Sequence, residues 1–352
     1  MRIGIHGAIH IQNFGDVLLA AACAKWIRDR LPDADICFPW ASEGVRSELH
    51  LFSRHSQDDK GGVDLMIFCG GGYLHDSGSL RRRVLRPYQL FARPLLRLFR
   101  CKKYAVIGLG VGPLRTFSGK LIGRRFLAHA DLVSVRDEES MAWLTSAGCD
   151  RKNVFLTADS AIAYTRSLFP SFPELKETGR TLLLHLISSD AAVHTGLYEY
   201  LLENGFLYDK IKLVSDQKGN RSPVDVSKLQ ALVRARIEEI PYQGYHRVLQ
   251  EIATSDDVLT NKYHLGIVAA TLGRRVMAIP SNFQKVVRFY QQIDAAGHCF
   301  DSIELSSAKV AQGMKKFFAE GNSLTVPESV INASWKNKEL IDGWLNSGPD
   351  IG

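Results

Sequence analysis

The segment Asp257-Val258-Leu259-Thr260-Asn261-Lys262-Tyr263-His264-Leu265-Gly266 joins an apolar strand pattern to the start of an apolar helix pattern. Open α/β sheets bind ligands at the carboxyl ends of their strands, where Lys262 and His264 would lie. The start of a helix adds backbone N–H donors and a positive dipole, which attract a phosphate or a carboxylate. The segment therefore predicts an anion site with a cation and a titratable acid or base. A helix cap or a buried structural histidine would give the same pattern.

Strand-like and helix-like segments alternate along most of the chain. Strands are predicted over residues 2–9, 64–69, 104–109, 132–135, 154–157, 181–187, 211–214, 257–260 and 275–279. Helices are predicted over residues 16–31, 197–203, 227–237, 245–253, 265–272 and 308–318, with Asp16 as the N-cap of the first. Continuous apolar strands separated by helices are typical of parallel, doubly wound sheets, so we predict an α/β fold.

The length of 352 residues favours two domains over one core. Pro170, Pro173 and Gly179 interrupt the alternation, so residues 165–180 are the best candidate for a linker. We predict an N-terminal Rossmann-like domain over residues 1–170 and a C-terminal one over 178–320, facing a central cleft. The tail over 321–352 is predicted to be helical near 326–345 and to pack back on the first domain.

Composition points to a soluble protein of the cytoplasm. Apolar residues make up 45% and charged residues 23%, as in ordinary globular proteins. No apolar run reaches the roughly 18 residues that cross a bilayer, and the first residues read as a strand rather than a signal peptide. The six cysteines are scattered without a C-x-x-C motif, which predicts buried thiols in a reducing compartment and no metal site.

The net charge of +7 is unevenly distributed. No Asp or Glu occurs between Ser77 and Ala130, and the stretch Arg81–Lys103 interleaves Arg and Lys with Leu and Phe. Such a stretch suits an anionic membrane surface. A solvated helix face with Arg stems lying on the core fits equally well. Nucleic acid is not predicted as a partner, because stacking aromatics are sparse and no reader motif occurs.

Arg136 and Asp159 each follow a predicted strand. An Arg at a strand end can hold an anion through two parallel N–H bonds. A salt bridge with Asp137 or Glu138 is the structural alternative for Arg136. Asp159 fits either a ligand contact or a turn cap.

Two glycine clusters, Gly70–Gly72 and Gly110–Gly112, also follow strand-like runs. Glycines there allow a ligand to approach the backbone closely, and they also suit tight turns between strand and helix. Neither cluster fits G-x-G-x-x-G, so a dinucleotide cofactor is not supported. Among the other histidines, His6, His10 and His185 have no setting comparable to that of His264, and only His75 is a rival.

These motifs occur in a fixed order along the chain. They are Asn13-Phe14-Gly15-Asp16, Gly70-Gly71-Gly72, Gly108-Leu109-Gly110-Val111-Gly112-Pro113, Ser134-Val135-Arg136-Asp137 with Ser140, Ala158-Asp159-Ser160-Ala161, Lys262-Tyr263-His264 with Leu265 to Gly273, and Lys285 after Asn282-Phe283. Together, over about residues 1–290, they resemble the polysaccharide pyruvyl transferase family.

The resemblance implies a two-domain fold of glycosyltransferase-B type and a phosphoenolpyruvate donor. It implies transfer of the enolpyruvyl carbons to two hydroxyls of a sugar, giving a cyclic ketal and phosphate, with no further cofactor and no metal. His264 and Arg136 are then the catalytic residues, and Lys262, Lys285 and Arg136 bind the donor. The acceptor or cleft-lining residues are Asn13, Gly15, Asp16, Gly70, Gly71, Gly72 and Asp159, with Asp16 either a base toward the sugar hydroxyl or only a helix cap.

Lys262 is a departure from the family pattern, which has Arg at this position. A Lys is a point charge without a bidentate fork, although it is an ordinary phosphate ligand. The resemblance implies a lipid-linked oligosaccharide acceptor at the inner face of the membrane, where the protein would be peripheral. The alternatives are a nucleotide-sugar glycosyltransferase of the same architecture and a non-catalytic carbohydrate-binding or membrane-scaffold protein.

Overall fold

The computed structural model describes residues 1–53, 62–74, 101, 103–112, 114, 117–146, 148, 153–171, 174, 179–187, 190–279, 285–300, 305–319, 321 and 323–347. His75 and the basic stretch Arg81–Lys103, apart from Cys101 and Lys103, lie outside these residues. The chain forms two compact units. Unit 1 is Met1–Ala163 with Ser329–Gly352, and unit 2 is Tyr164–Glu328.

Unit 1 is built on a parallel sheet. Its strands are β1 (Arg2–His6), β2 (Asp35–Cys37), β3 (Leu65–Phe68), β4 (Gly71–Leu74), β5 (Lys103–Val111), β6 (Leu132–Val135) and β7 (Val154–Leu156). They are ordered β2-β1-β3-β5-β6-β7, and β4 pairs with β5. Every residue of β3 and β6 is buried, as expected for central strands covered by helices on both faces.

Unit 2 is built on a second parallel sheet. Its strands are β8 (Arg180–His185), β9 (Tyr208–Val214), β10 (Arg236–Ile240), β11 (Asp257–Thr260) and β12 (Arg275–Ala278). They are ordered β10-β9-β8-β11-β12. The parallel sheets confirm the predicted α/β fold class.

Helices connect the strands in both units. They are α1 (Phe14–Arg30), α2 (Glu43–Glu48), α3 (Phe117–Ala128), α4 (Glu138–Ser146), α5 (Ser160–Leu168), α6 (Ala191–Asn204), α7 (Val226–Leu232), α8 (Tyr245–Ala253), α9 (Tyr263–Thr271), α10 (Lys285–Gln292), α11 (Ser307–Met314) and α12 (Glu328–Asn346). None of the helices within the described ranges is both long and apolar enough to cross a membrane.

Each sheet contains a point where the strand order reverses. In unit 1 the chain passes from β1 outward to β2 and then returns to the other side of β1 with β3. In unit 2 it passes from β8 through β9 to β10 and returns to the other side of β8 with β11. Connections diverge at such a point and leave a crevice outside the carboxyl ends of the two strands, where α/β proteins bind ligands.

The structure corrects three of the predicted elements. Asn13, and not Asp16, is the N-cap of α1, because its side-chain oxygen accepts a hydrogen bond from the Gly15 amide at 3.2 Å. The helix predicted over 227–237 ends at Leu232, and Arg236–Ile240 forms the edge strand β10, whose side chains are mostly exposed or half-buried and so carry no apolar run. The linker predicted from Thr165 is helical as far as Leu168, within α5.

The C-terminal helix α12 belongs to unit 1 and is attached there by buried polar side chains. The Asn337 side chain accepts a hydrogen bond from the Ser134 hydroxyl at 2.7 Å and donates one to the Ala158 carbonyl at 2.8 Å. The Ser334 hydroxyl donates to the Asp159 carbonyl at 2.6 Å and accepts from the Ala163 amide at 2.9 Å. This helix therefore supports strand β6 itself and the segment that follows β7.

Candidate functional site

The segment after β11 lies at the strand reversal of unit 2. His185, the last residue of β8, is in register with Thr260, the last residue of β11. The Asn261 amide donates to the His185 carbonyl at 3.3 Å, and the Asn261 side chain accepts from the Ile187 amide at 3.2 Å. The ends of the two strands are thus tied together, which places Lys262 and His264 at the expected ligand-binding edge.

Lys262 reaches across this edge to a buried carboxylate. It occupies the N-cap position of α9 in an extended conformation, and its amide donates to the Thr260 hydroxyl at 3.0 Å. Its Nζ atom lies 2.9 Å from Oδ2 of Asp216, which follows β9. The other carboxylate oxygen, Oδ1, lies 3.0 Å from Nε2 of His185. Three neighbouring strands therefore contribute one linked row, His185–Asp216–Lys262.

Only the Lys262 end of this row meets solvent. The side chains of His185 and Asp216 are 2% and 3% exposed, whereas that of Lys262 is 28% exposed. Burial by itself would raise the pKa of the Asp216 carboxyl. The contact with His185 and the charges of His185 and Lys262 outweigh burial, so that this pKa falls below its ordinary value. Asp216 is therefore an anion at neutral pH, and it fixes the direction of the Lys262 ammonium from beneath.

His264 and Lys285 both lie beside Tyr263. His264 is half-buried in the first turn of α9, with its ring centroid 5.1 Å from that of Tyr263. Lys285 begins α10, and its Nζ atom lies 5.6 Å from the centroid of the Tyr263 ring, within cation–π range. The structure thus places His264 and Lys285 in contact with Tyr263, the residue that follows Lys262.

Arg136 and Asp159 form a buried pair in unit 1. Arg136 follows β6 and is 2% exposed, and its Nη1 atom donates to Oδ2 of Asp159 at 3.0 Å. Its Nε atom lies 3.8 Å from Oδ2 of Asp137, one of the two predicted structural partners. Oδ1 of Asp159 accepts from the Ala161 amide at the start of α5 at 3.0 Å. The binding of a donor by Arg136 stays a prediction.

Gly110 lies within β5 and not in a turn, and its missing side chain makes room for Arg136. A Cβ atom on Gly110 would lie 2.5 Å from Nη2 of Arg136. Gly70 is required by the sheet itself, since a Cβ there would lie 2.7 Å from the Gly108 carbonyl oxygen. Gly71 and Gly72 lie in β4. The atoms that come close to the backbone of Gly70 and Gly110 therefore belong to the protein itself, namely the Gly108 carbonyl and the Arg136 guanidinium.

The predicted acceptor residues Asn13, Gly15 and Asp16 lie at the strand reversal of unit 1. The Cys69 amide, just after β3, donates to the carbonyl of His6 at the end of β1 at 2.8 Å. Burial raises the pKa of the Cys69 thiol well above its ordinary value, and the nearby Cys23 and Asp16 raise it further. Asp16 is half-buried in the first turn of α1, near the end of β3.

Comparison with known proteins decides the family. A family model described as polysaccharide pyruvyl transferase matches residues 13–282. The chain belongs to the polysaccharide pyruvyl transferase family. The resemblance inferred from the motifs is thereby confirmed. No curated protein sequence matches the chain significantly.

Solved structures with a similar fold include UDP-N-acetylglucosamine 2-epimerases. The UDP-GlcNAc 2-epimerase of Neisseria meningitidis, bound to UDP-GlcNAc, is 12% identical, with a TM-score of 0.62 over 97% of this chain and 99% of that chain. A putative UDP-N-acetylglucosamine 2-epimerase of Listeria monocytogenes is also 12% identical, with a TM-score of 0.64 over 99% and 97% of the two chains. At this identity the likeness shows the fold alone. It confirms that this chain has two Rossmann-like domains of glycosyltransferase-B type.

Two residues of the candidate site were missed from the sequence. His185 was judged to lack a setting comparable to that of His264, yet it ends β8 at the strand reversal and contacts Asp216. Asp216 follows the predicted strand 211–214 by two residues, just as Lys262 follows 257–260. The position two residues after a predicted strand therefore places Asp216 at the sheet edge as it does Lys262.

Proposed function

We propose that this pyruvyl transferase uses phosphoenolpyruvate to form a cyclic pyruvate ketal on a sugar of a surface-polysaccharide precursor. The observation that carries the proposal is the orientation of Lys262 by the buried Asp216 at the strand reversal of unit 2. His264 and Lys285 lie beside the same segment. An acid/base and two cations are the groups that this donor requires.

The donor carries a carboxylate and a phosphate on a small frame. Lys262 and Lys285 supply point charges for these two anions, and the start of α9 supplies backbone N–H donors and a positive dipole. Asp216 offsets part of the Lys262 charge, and Lys285 adds a second cation beside the same segment. Such a site favours a dianion over a neutral sugar.

His264 is the proposed general acid. It donates a proton to the methylene carbon of phosphoenolpyruvate, which becomes a methyl group as the C=C bond is lost. A sugar hydroxyl attacks the resulting oxocarbenium-like carbon, a second hydroxyl displaces phosphate from it, and a ketal forms. One hydroxyl proton replaces the proton that His264 gave, and the other leaves with the phosphate. The imidazole is suited to this exchange because its ring nitrogens can donate and accept a proton.

The remaining assignments concern unit 1 and the acceptor. Arg136 is proposed as a further donor ligand, and Asn13, Gly15 and Asp16 as contacts of the acceptor sugar at the strand reversal of unit 1. We propose a lipid-linked oligosaccharide as the acceptor. The basic stretch Arg81–Lys103, with no acidic residue from Ser77 to Ala130, supports a location beside an anionic membrane.

The direct test is incubation of the full chain with phosphoenolpyruvate and candidate lipid-linked oligosaccharides, followed by phosphate release and the mass of a ketal. His264→Ala should lower turnover by about 10²–10⁴-fold, the usual contribution of general acid catalysis. His246→Ala is a matched control, because Tyr245-His246 begins α8 as Tyr263-His264 begins α9, but it follows the edge strand β10. A loss below about tenfold in His264→Ala, or an equal loss in both variants, would contradict the assignment.

A thermal-shift panel separates the alternatives. Stabilisation by phosphoenolpyruvate and not by UDP-sugars is the expected result, since a ligand that binds only the folded state raises its stability. Stabilisation by a UDP-sugar alone would favour a glycosyltransferase. No stabilisation by any of these ligands would favour a non-catalytic protein.

A further inference from the structure

One face of α3 in unit 1 is exposed although it carries large apolar side chains. Phe117, Lys120, Leu121 and Arg124 recur with the spacing that places residues on one side of a helix. With Trp143 and Ser146 of α4 they line an open groove of about 280 Å³. We call these six residues the α3–α4 face.

The apolar side chains of this face are not those that hold α3 in the fold. Phe126 and Leu127, on another side of the helix, are buried in the hydrophobic core of unit 1. Phe117 is 83% exposed and Leu121 40% exposed. A large apolar side chain in water forgoes the stabilisation that burial would give, so a grouped set of them marks an interaction surface.

The charged residues around the groove indicate what kind of partner would bind the α3–α4 face. Lys120 and Arg124 line it, and Arg125 is exposed on the next position of α3. No acidic residue is among the six lining residues, and all of α3 lies inside the interval from Ser77 to Ala130 that lacks Asp and Glu. Cationic side chains around Phe, Leu and Trp are the composition of a helix that lies in the headgroup region of an anionic bilayer.

We propose that the α3–α4 face docks on an anionic phospholipid surface. The proposal does not depend on the donor chemistry, and it concerns described residues rather than the stretch Arg81–Lys103. A second copy of the chain is a poor occupant, because a two-fold interface would pair this face with itself, and its six residues include two cations and no acidic residue. A bilayer presents many anionic headgroups to the cations and a hydrocarbon boundary to Phe117 and Leu121 at once.

Unit 2 offers a matched control surface. Leu202 and Phe206 are 69% and 81% exposed and lie four residues apart at the end of α6, so they form an apolar pair of similar size. The exposed residue beside them is the acidic Glu203. If apolar exposure alone drove membrane binding, this pair would contribute as much as Phe117 and Leu121. If the basic surroundings are required, it would contribute nothing.

The test is co-sedimentation of the full chain with vesicles of phosphatidylcholine alone and with about 30% phosphatidylglycerol, a leaflet whose negative charge attracts basic residues. Binding is expected to the anionic vesicles only, and should fall as salt rises. Lys120→Gln with Arg124→Gln should weaken partitioning about 30-fold, or about 2 kcal/mol, at about 1 kcal/mol for each cation. Phe117→Ser with Leu121→Ser should reduce it at least as much, and Leu202→Ser with Phe206→Ser should leave it unchanged.

Several outcomes would overturn the proposal. The proposal is wrong if the parent chain does not sediment with anionic vesicles. It is also wrong if both α3 double variants sediment as the parent does, because the membrane-binding surface would then lie elsewhere. Loss of a dimer in Phe117→Ser with Leu121→Ser, measured by sedimentation velocity without lipid, would identify a second copy as the occupant. Far-UV circular dichroism of each variant separates a lost surface from a lost fold, and the two independent double variants guard against failure of either one.

Discussion

Asp216→Asn is the substitution that most directly tests the row His185–Asp216–Lys262. The change keeps the size of the side chain and removes its charge. Nζ of Lys262, 2.9 Å from Oδ2, and Nε2 of His185, 3.0 Å from Oδ1, both lose a charged partner. The expected result is a fall in the free energy of unfolding of unit 2 and a loss of donor affinity at Lys262.

The burial of His185 and Lys262 determines how far the free energy of unfolding should fall. Removing one member of a buried ion pair costs about 3–5 kcal/mol, because the other charge stays buried without compensation. Lys262 is 28% exposed and recovers hydration, so the lower end, about 3 kcal/mol, applies. Asp342→Asn is the control, since Asp342 pairs with Lys338 one turn away at 2.6 Å with 25% and 29% of the side chains exposed. That change should cost less than about 0.5 kcal/mol.

The pH dependence gives a second and independent readout. The pKa of Asp216 is lowered in the folded state, so its contribution to stability is fully present above the unfolded value of about 3.9 and is lost as pH falls through the folded pKa. The difference between the parent and Asp216→Asn should therefore be complete at about pH 5 and close on further acidification. Urea unfolding followed by circular dichroism over this range measures it. A difference below about 1 kcal/mol at pH 6, or one that grows toward acid pH, would refute the reasoning.

Three further predictions concern the other parts of the two units. Calorimetry should show that Lys262→Ala weakens phosphoenolpyruvate binding by more than about tenfold, because the lost charge-assisted bond contributes about 1.5–3 kcal/mol. Lys262→Arg keeps the charge and should keep turnover, measured as phosphate release, within about tenfold. Equal donor dependence in Lys262→Ala and the parent would show that Lys262 is no donor ligand. Arg136→Lys should weaken donor affinity, because Lys lacks the guanidinium fork. Gly110→Ala should also weaken it, because the added Cβ would collide with the Arg136 guanidinium. Donor titrations that overlay with those of the parent would show that Arg136 is a structural ion-pair residue. Asn337→Ala should lower the stability of unit 1 by about 1–3 kcal/mol in urea unfolding, because the Ala158 carbonyl loses its donor and the Ser134 hydroxyl loses its acceptor. An unchanged midpoint would mean that the Asn337 hydrogen bonds do not hold α12 in place.

Where strands are buried on both faces, the sequence was sufficient to predict them. Residues 132–135 and 257–260 were predicted as strands and form β6 and β11 with the same bounds. Both are fully buried strands inside parallel sheets, with apolar side chains at Leu132, Val133, Val135, Val258 and Leu259. The strand β10 was not predicted, because an edge strand can leave many of its side chains exposed and then carries no continuous apolar run. Its residues, among them Glu238 and Glu239, follow a helix pattern as well as a strand pattern.

The side chains at the strand ends were predicted more reliably than their partners. Lys262 and Arg136 were selected because each follows a buried strand, which is a local property of the sequence. Arg136 pairs with Asp159, 23 residues away, and the pairing follows from β6 and β7 being neighbours. Lys262 pairs with Asp216 because β8 alone separates β9 from β11, an order that alternation of strands and helices does not specify. Contacts between strand ends thus require the sheet order, which only the structure supplied.

Asp159 and Asp216 are both buried carboxylates, but the cations with which they pair differ in exposure. This difference indicates which cation is better placed to contact the donor. Arg136 is 2% exposed, and its guanidinium contacts Asp159 and Asp137. A donor anion would therefore have to approach guanidinium nitrogens that already contact carboxylates. Lys262 is 28% exposed, and an ammonium has three N–H donors, of which Asp216 accepts one. The remaining donors point away from the buried carboxylate. We therefore expect Lys262, oriented by Asp216, to be the cation that contacts the proposed donor directly.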